Sequence, residues 1–300
     1  MKQRNMHNIV LLYFWIPNFL QRMQSNNWAV ITGASSGIGS AFLRRLALKE
    51  KNLNCLGVGR NVARLEEVQQ SINKSNVHVV NADVSTPEGI SAIVNALPSN
   101  ACVKYLVHNA GFFAPIGPLL EMDIAKFREV MATNLEAPLC LTKALLPNLR
   151  RCASEASIPR VLHVSSGAAH NAYEGWGSYC ISKAGFNMMY RVLAEELSQE
   201  NILVGSVRPG VVDTPMQDIV RGFNGQSSHF PMHKKFIDLH AQGKLECPDT
   251  VATYIYWMLK EVNDDEFSKE EWDIRLSSKD DTRWKEYLAL NSELEATVKI

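Results

Sequence analysis

A tyrosine and a lysine four residues apart, Tyr179 and Lys183, follow a serine, Ser166, that stands thirteen residues before the tyrosine. A free phenol has a pKa of about 10, and a neighbouring cation lowers that pKa by favouring the phenolate. Residues four apart share one face of a helix, so the spacing predicts that the Lys183 ammonium lies beside the Tyr179 phenol. Ser166 would then hydrogen-bond a carbonyl oxygen to which Tyr179 transfers a proton.

The pair Tyr256 and Lys260 has the same spacing, but Gly243 stands where a matching serine would be. We therefore interpret this second pair as structural residues of a helix, located at its surface and in the core, and we use the pair as an internal control. Cys180 lies next to Tyr179 without a recognisable histidine partner, so packing is a better interpretation than nucleophilic catalysis.

A glycine-rich turn, T-G-A-S-S-G-I-G, occupies residues 32–39 between an apolar run and a helical pattern. Glycines at such a position let the backbone turn tightly and approach a pyrophosphate at the helix N-terminus. The turn therefore predicts a dinucleotide site. Its candidate binding residues are Gly33, Ser35, Ser36, Gly37, Ile38 and Gly39.

The choice of cofactor depends on the end of the second predicted strand. NAD-binding proteins place an acidic residue there, about 20 residues beyond the glycines, to bind the ribose 2′-hydroxyl. This chain has Gly59 followed by Arg60. A guanidinium pairs well with a 2′-phosphate, so the sequence favours NADP(H). The alternative is a solvated arginine at the start of a helix.

The elements that must position these residues alternate between short β-branched apolar runs and longer helical patterns. This pattern predicts an α/β fold, a single doubly wound, Rossmann-type, seven-stranded parallel sheet with helices on both faces. We predict strands at Trp28–Thr32, Asn54–Gly59, Val77–Asn81, Val103–His108, Arg160–Val164, Ile202–Val207 and Trp272–Leu276. We predict helices at Ile38–Lys49, Val62–Asn73, Pro87–Ala96, Ile124–Leu149, Tyr179–Gln199 and Pro248–Lys260.

The glycine turn and the Ser-Tyr-Lys spacing resemble the short-chain dehydrogenase/reductase family, and the likeness covers Trp28 to Leu276. The resemblance implies a catalytic set of Asn134, Ser166, Tyr179 and Lys183. It also implies cofactor contacts, with Asp83 and Val84 at the adenine, with Pro209, Gly210, Val212 and Thr214 at the nicotinamide, and with Asn109, Ala110, Gly111, Tyr179 and Lys183 between them. His108 stands where the family has an asparagine, which alters a local hydrogen bond.

Within the family, segments 175–180, 212–217 and 243–245 are similar to the sepiapterin reductase and benzil reductase branch. This resemblance implies an NADPH-dependent carbonyl reductase acting on a ketone or on a vicinal dicarbonyl attached to a flat ring. Trp176 and Met216 would stack against the ring, the alternative being that they belong to the core. Asp273, one residue short in spacing, would anchor a pterin, and the alternative is a solvated carboxylate at the end of a strand. The alternatives are an acyl- or steroid-type ketone reductase and a non-catalytic NADPH-binding regulator; the complete catalytic set argues against the regulator.

Composition excludes several classes of protein. Lys plus Arg and Asp plus Glu each number 31, so no uniform charge favours nucleic acid or an anionic membrane. Six cysteines stand singly, without the paired spacing of a zinc or redox site, and we expect reduced thiols. The apolar run Ile9–Ile16 is too short to span a bilayer. A cytoplasmic protein without a metal site is therefore expected.

The chain is expected to form one domain at residues 23–278. Residues 1–22 would be an appendage or an artefact of the start site, and residues 279–300 a solvated helical tail. The longest irregular stretch, Pro215–Glu246, carries apolar residues and is expected to be a lid over a site or a satellite core. The apolar helices Ile124–Leu149 and Tyr179–Gln199 resemble the family's interface helices and imply a homodimer or homotetramer.

Overall fold

The computed structural model describes residues 26–155 and 157–297. In this part of the chain seven strands form one parallel sheet in the order β3-β2-β1-β4-β5-β6-β7, which confirms the predicted fold. The strands are β1 (Asn27–Thr32), β2 (Asn54–Gly59), β3 (Val77–Asn81), β4 (Cys102–His108), β5 (Arg160–Val164), β6 (Leu203–Arg208) and β7 (Trp272–Asp273). The strand order reverses between β1 and β4, and the crevice at their carboxyl ends is where such sheets bind ligands.

Helices cover both faces of the sheet. Their bounds are α1 (Gly37–Lys49), α2 (Val62–Ile72), α3 (Pro87–Asn95), α4 (Ile124–Met131), α5 (Ala137–Ser154), α6 (Gly177–Ser198), α7 (Pro215–Arg221), α8 (His233–Ala241), α9 (Pro248–Lys260), α10 (Asp264–Phe267), α11 (Ile274–Asp280) and α12 (Thr282–Thr297). Along β1, Ala29 and Ile31 pack on α1 and α9, whereas Trp28 and Val30 pack toward α3 and α5. This alternation buries both sheet faces and explains the nearly continuous apolar strand.

The last strand is shorter than predicted. We predicted Trp272–Leu276, but pairing with β6 ends at Asp273. The Asp273 carboxylate accepts a hydrogen bond from the backbone N–H of Arg275, at 2.9 Å, and so caps the start of α11. The cap turns the chain into a helix where the apolar residues Ile274 and Leu276 imitate a continuing strand.

We predicted that the stretch from Pro215 to Glu246 is irregular, but the structure shows otherwise. The stretch contains α7, α8 and a short 3-10 turn at Ser227–His229. Its apolar side chains form a small third core, separate from the two sheet cores, together with Phe113, Trp176 and Tyr179. Val220, Phe230 and Phe236 are the buried members that this stretch contributes. Part of the stretch also borders the cavity described below, so it combines a satellite core with a wall.

The predicted helical tail is present as α12, but its start is not solvated. Trp284 is fully buried, and its ring lies 4.9 Å from the ring of Tyr254 in an edge-on arrangement. The indole N–H of Trp284 donates to the Ser278 hydroxyl at 3.2 Å. An apolar side chain at one end of a charged helix was too weak a signal for the sequence to reveal this docking.

The predicted appendage, residues 1–22, lies outside the described residues. None of the described helices has the length and apolar character needed to cross a lipid bilayer.

We predict that Trp284→Ala lowers the free energy of unfolding by about 3–5 kcal/mol, because it opens a cavity in a closely packed core. Leu290→Ala on the same helix is the matched control, since Leu290 is 63% exposed, and a change within about 0.5 kcal/mol is expected there. Chemical denaturation of both variants makes the comparison. Equal losses would show that α12 does not dock through Trp284.

Candidate active site

The glycine-rich turn joins β1 to α1 at the reversal of strand order. Gly33 and Gly37 have φ values of +68° and +53°, which favour glycine. A Cβ on Gly39 would overlap the Gly33 carbonyl oxygen, and a Cβ on Gly33 would lie 2.8 Å from the side-chain nitrogen of Asn109. Bare backbone is therefore required at the three glycine positions, and this cradle fits the pyrophosphate of a dinucleotide at the start of α1.

Thr32 and Asn109 fasten this turn to β4. The Thr32 hydroxyl accepts hydrogen bonds from the backbone N–H groups of Asn109 and Ala110, each at 3.0 Å. The Asn109 amide donates to the carbonyls of Thr32 and Gly33 at 3.0 and 3.2 Å. Asn109 thus shapes the turn from behind. His108, which stands where the family has an asparagine, is buried and shares a 2.8 Å hydrogen bond with the Thr142 hydroxyl. This bond is the local change that we expected at that position.

Ser166, Tyr179 and Lys183 come together at the carboxyl end of β5. Ser166 follows that strand and accepts a hydrogen bond from the Ala168 N–H at 3.2 Å. Tyr179 and Lys183 lie one turn apart on α6, and the ammonium nitrogen is 5.8 Å from the centre of the phenol ring. Lys183 donates to the Val164 carbonyl at 2.9 Å. The predicted spacing therefore produces the predicted cluster.

Burial dominates the electrostatics of this cluster. It raises the pKa of Tyr179 to about 12, although a hydrogen bond with Ser166 acts in the opposite direction. The expectation that Lys183 lowers the pKa of Tyr179 below its usual value is therefore wrong for this structure. Burial also lowers the pKa of Lys183 to about 8. At neutral pH the phenol keeps its proton and the amine is mainly an ammonium.

Asn134 lies in a π-helical segment, residues 132–136, that separates α4 from α5 within the predicted single helix. Its amide oxygen accepts from the Phe112 N–H at 2.6 Å, and its nitrogen donates to the Phe112 carbonyl at 2.8 Å and to the Ser182 hydroxyl at 3.0 Å. The wider helical turn thus points Asn134 inward to connect the β4 loop with α6. Helical sequence actually continues to Ser154, beyond the predicted end at Leu149.

Arg60 and Arg64 flank the far end of the crevice. Arg60 follows β2 and lies 3.7 Å from the Asp83 carboxylate, with 64% of its side chain exposed. Burial opposes ionisation of Asp83, but hydrogen bonds from Ser85 and the charge of Arg60 lower its pKa below the usual value. The sequence argument missed Arg64, which lies in the first turn of α2.

A cavity of about 950 Å³ connects these groups, near the upper end of the range for ligand sites. Most of the predicted site residues line it: Gly33, Ser35, Ser36, Gly37, Ile38, Arg60, Asp83, Val84, Asn109, Ala110, Gly111, Ser166, Trp176, Tyr179, Lys183, Pro209, Gly210, Val212, Thr214 and Met216. Gly39, Asn134 and Asp273 do not line it; Gly39 closes the turn and Asn134 supports the wall from behind.

Aromatic side chains surround the cavity near Tyr179. The Trp176 ring lies 4.6 Å from Phe113, edge-on, and 4.9 Å from Phe236, stacked. Tyr173 is 5.3 Å from Trp176, and Met216 also borders this end. The wall suits a flat apolar group. Sequence reasoning identified Trp176 and Met216, and it placed Phe236 on the stretch that could form a lid. It missed Phe113 and Tyr173, which come from separate loops.

Asp273 lies behind the cavity wall. Its carboxylate accepts hydrogen bonds from the Arg275 guanidinium at 2.8 and 3.1 Å, and Arg208 approaches it to 3.4 Å. Arg275, rather than Asp273, lines the cavity. The geometry therefore places the acidic group expected at the substrate behind an arginine.

The control pair is structural, as predicted. Tyr256 is buried and donates to Glu50 at 2.7 Å, and Lys260 contacts the same carboxylate at 2.9 Å. Neither residue lines the cavity. Within residues 26–155 and 157–297, no cluster of three or more histidine, cysteine or acidic side chains is arranged to hold a metal ion.

Comparisons with known proteins agree with this geometry. The family model for short chain dehydrogenases matches residues 27–223. The chain is similar to a benzil reductase of Bacillus cereus, with 32% identity over 78% of this chain and 94% of that protein. It is also similar to a sepiapterin reductase of Xenopus laevis, with 35% identity over 63% of this chain and 75% of that protein.

The crystal structure of a KRED1-Pglu enzyme has the same fold, with a TM-score of 0.73 and 29% identity. The match covers 83% of this chain and all of that one. Because the family model spans well over half of the sequence and the glycine turn, serine, tyrosine and lysine converge on one cavity, the chain belongs to the short chain dehydrogenase family.

Proposed function

We propose that this oxidoreductase is an NADPH-dependent carbonyl reductase that acts on a ketone or on a vicinal dicarbonyl attached to a flat ring. The observation that carries the proposal is the position of Tyr179, a buried phenol joined to Ser166, one helical turn from Lys183, and on the wall of the cavity that begins at the glycine turn. This is the arrangement that protonation of a developing alkoxide requires.

Each catalytic side chain has a separate task. Ser166 accepts a bond from the Ala168 N–H, so its own proton remains available to a substrate carbonyl. Tyr179 keeps its proton at neutral pH and is the general acid. Lys183, fixed on the Val164 carbonyl, places a positive charge beside the phenol as the proton leaves. A bound nicotinamide supplies the hydride.

The aromatic wall supports the substrate class. Phe113, Trp176 and Phe236 are apolar and closely packed, and such a wall favours flat rings. The names of similar proteins, benzil reductase and sepiapterin reductase, refer to carbonyl compounds that carry flat rings and support the same choice. An acyl- or steroid-type ketone reductase would use the same catalytic residues, so comparing turnover of aromatic diketones and acyl ketones discriminates between them.

The preference for NADPH rests on Arg60 and Arg64, which border the end of the cavity beyond β2. Both guanidiniums suit a phosphate, and Arg60 needs only to turn from the Asp83 carboxylate at 3.7 Å. A cytoplasmic location belongs to the proposal too, since all six cysteines are free.

We further propose a homodimer or homotetramer built through α5 and α6. Leu139, Ile181, Met188 and Val192 expose between 44% and 52% of their surface on these helices. Apolar side chains on adjacent helices are typical of a symmetric interface between copies.

We predict that Tyr179→Phe lowers carbonyl-dependent NADPH oxidation at least a hundredfold, because it removes the proton donor and keeps the ring. NADPH binding is expected to persist. Tyr256→Phe is the matched control, since its hydroxyl contacts Glu50 outside the cavity. Steady-state kinetics with an aromatic 1,2-diketone and fluorescence titration of NADPH make the test, and near-normal turnover by Tyr179→Phe would refute the assignment.

We predict that Arg60→Glu weakens NADPH binding about tenfold to a hundredfold and leaves NADH binding much less affected. A charge-assisted contact with the 2′-phosphate is lost, and like-charge repulsion replaces it. Arg44→Glu is the control, because Arg44 is exposed on α1 and does not line the cavity. Dissociation constants for both cofactors decide the matter. An unchanged ratio in Arg60→Glu would assign the phosphate to another group.

We predict a solution mass that is twice or four times 33.6 kDa. Replacing Met188 and Val192 together with aspartate should reduce that mass, because a symmetric interface buries each introduced charge twice. Light scattering coupled to size exclusion measures both proteins at micromolar concentration. A wild-type monomer would contradict the proposed interface.

A further inference from the structure

Glu271, just before β7, is a buried carboxylate with only 6% of its side chain exposed. Three hydrogen-bonding side chains and one guanidinium surround it. Asn187 and Ser206 each donate at 2.9 Å, the Arg208 guanidinium lies at 3.2 Å, and a ring nitrogen of His170 lies at 2.5 Å. These partners belong to α6, to β6 and to the loop after β5. Glu271 therefore joins three separate parts of the fold, and it does not line the cavity.

Two of these parts carry the catalytic side chains. Asn187 lies one helical turn after Lys183 on α6, so both face the same side of the helix. His170 ends the short 3-10 turn, Gly167–Ala169, that Ser166 begins. A shift of Glu271 would therefore act on Lys183 through α6 and on Ser166 through its turn.

The third part supplies the backing. Ser206 and Arg208 flank Val207, whose carbonyl accepts a 2.8 Å hydrogen bond from the Ser165 N–H. β6 thus holds the residue before Ser166, and Glu271 holds β6. No substrate or cofactor contact of its own is needed for this carboxylate to influence the reaction.

We propose that Glu271 is the positioning residue of the catalytic centre: it fixes α6 and the Ser166 turn against β6, and its negative charge keeps Lys183 an ammonium. This inference rests on the proposed reductase function. According to this proposal, a carboxylate outside the cavity sets the upper pH limit of the enzyme's activity.

The charges facing Lys183 explain why an anion matters there. Tyr179 lies on the same helix and is neutral, since burial raises its pKa to about 12. His163 on β5 is fully buried, and burial holds its pKa well below the usual value, so it is neutral too. Burial lowers the pKa of Lys183 to about 8, and the charge of Glu271 acts in the opposite direction. Arg208, on β6, pairs with Glu271 and with Asp273.

The test is Glu271→Gln, which keeps the size of the side chain and an acceptor oxygen but removes the charge. Lys183 acts as an ammonium, so activity is lost as the pH rises through its pKa. Removing a nearby anion lowers that pKa further. We therefore expect the alkaline fall of kcat to move about one unit toward lower pH.

The matched control is Glu50→Gln, because Glu50 contacts a tyrosine and a lysine of the same spacing, Tyr256 and Lys260, away from the cavity. Its alkaline limb should stay in place. A second readout is independent of turnover: the Nζ resonance of Lys183 in the full-length protein, assigned with Lys183→Met, is titrated by ¹⁵N NMR. It should titrate at lower pH in Glu271→Gln than in wild type.

Asn187→Ala tests the positioning role of Glu271, and it remains a usable test if the Glu271→Gln protein does not fold. It removes the bond to α6 and keeps the charge, so kcat should fall about tenfold at every pH without movement of the alkaline limb. An unchanged kcat in Asn187→Ala would overturn the positioning role. The electrostatic role would be overturned if a folded Glu271→Gln protein showed only a lower Tm. In that case the alkaline fall of kcat and the NMR titration of Lys183 would occur at the same pH as in wild type.

The proposed function and this inference fail differently. If wild type reduces no carbonyl, or if Lys183→Met stays active, the proposed function is wrong. The NMR titration of Lys183 in wild type and in Glu271→Gln still decides whether Glu271 raises the pKa of Lys183.

Discussion

The contact between the β1–α1 turn and the end of β4 is the constraint on which the rest of the site depends. Thr32 and Asn109 tie the two strands together with four hydrogen bonds of 3.0 to 3.2 Å, at the point where the chain leaves the two strands in opposite directions. The crevice exists because of that divergence. The glycines then fit close to this contact, since any Cβ at Gly33 or Gly39 would collide with it.

The helix that carries Tyr179 and Lys183 is positioned from the same place by a chain of polar contacts. Asn134 connects the β4 loop to Ser182 on α6, one residue before Lys183. Lys183 returns to the sheet through the Val164 carbonyl. The π-helical segment is what lets Asn134 reach both neighbours. Local irregularity in an otherwise regular helix therefore serves the geometry of the site, as is common for such segments.

Sequence alone predicted the sheet, the glycine turn and the proximity of Ser166, Tyr179 and Lys183 because each depends on local spacing. Tyr179 and Lys183 must share a helix face whatever surrounds them. It did not predict the pKa of Tyr179, because part of the burial that raises this pKa comes from Phe113, which is distant in sequence. The docking of Trp284 depends on the same kind of distant contact. The end of β7 at Asp273 was mispredicted for another reason. The carboxylate that caps the next helix lies within an apolar run, and this run resembles a continuing strand.

The third core has a consequence for the wall of the cavity. Phe230 and Phe236 pack with Trp176 away from the two cores that stabilise the sheet. Segments with their own small core open as separate cooperative units, at a lower free energy than global unfolding. Substitutions in residues 215–246 therefore alter the cavity wall next to Tyr179 while the two sheet cores stay intact. The shape of the wall and the stability of the sheet therefore depend on different sets of apolar side chains.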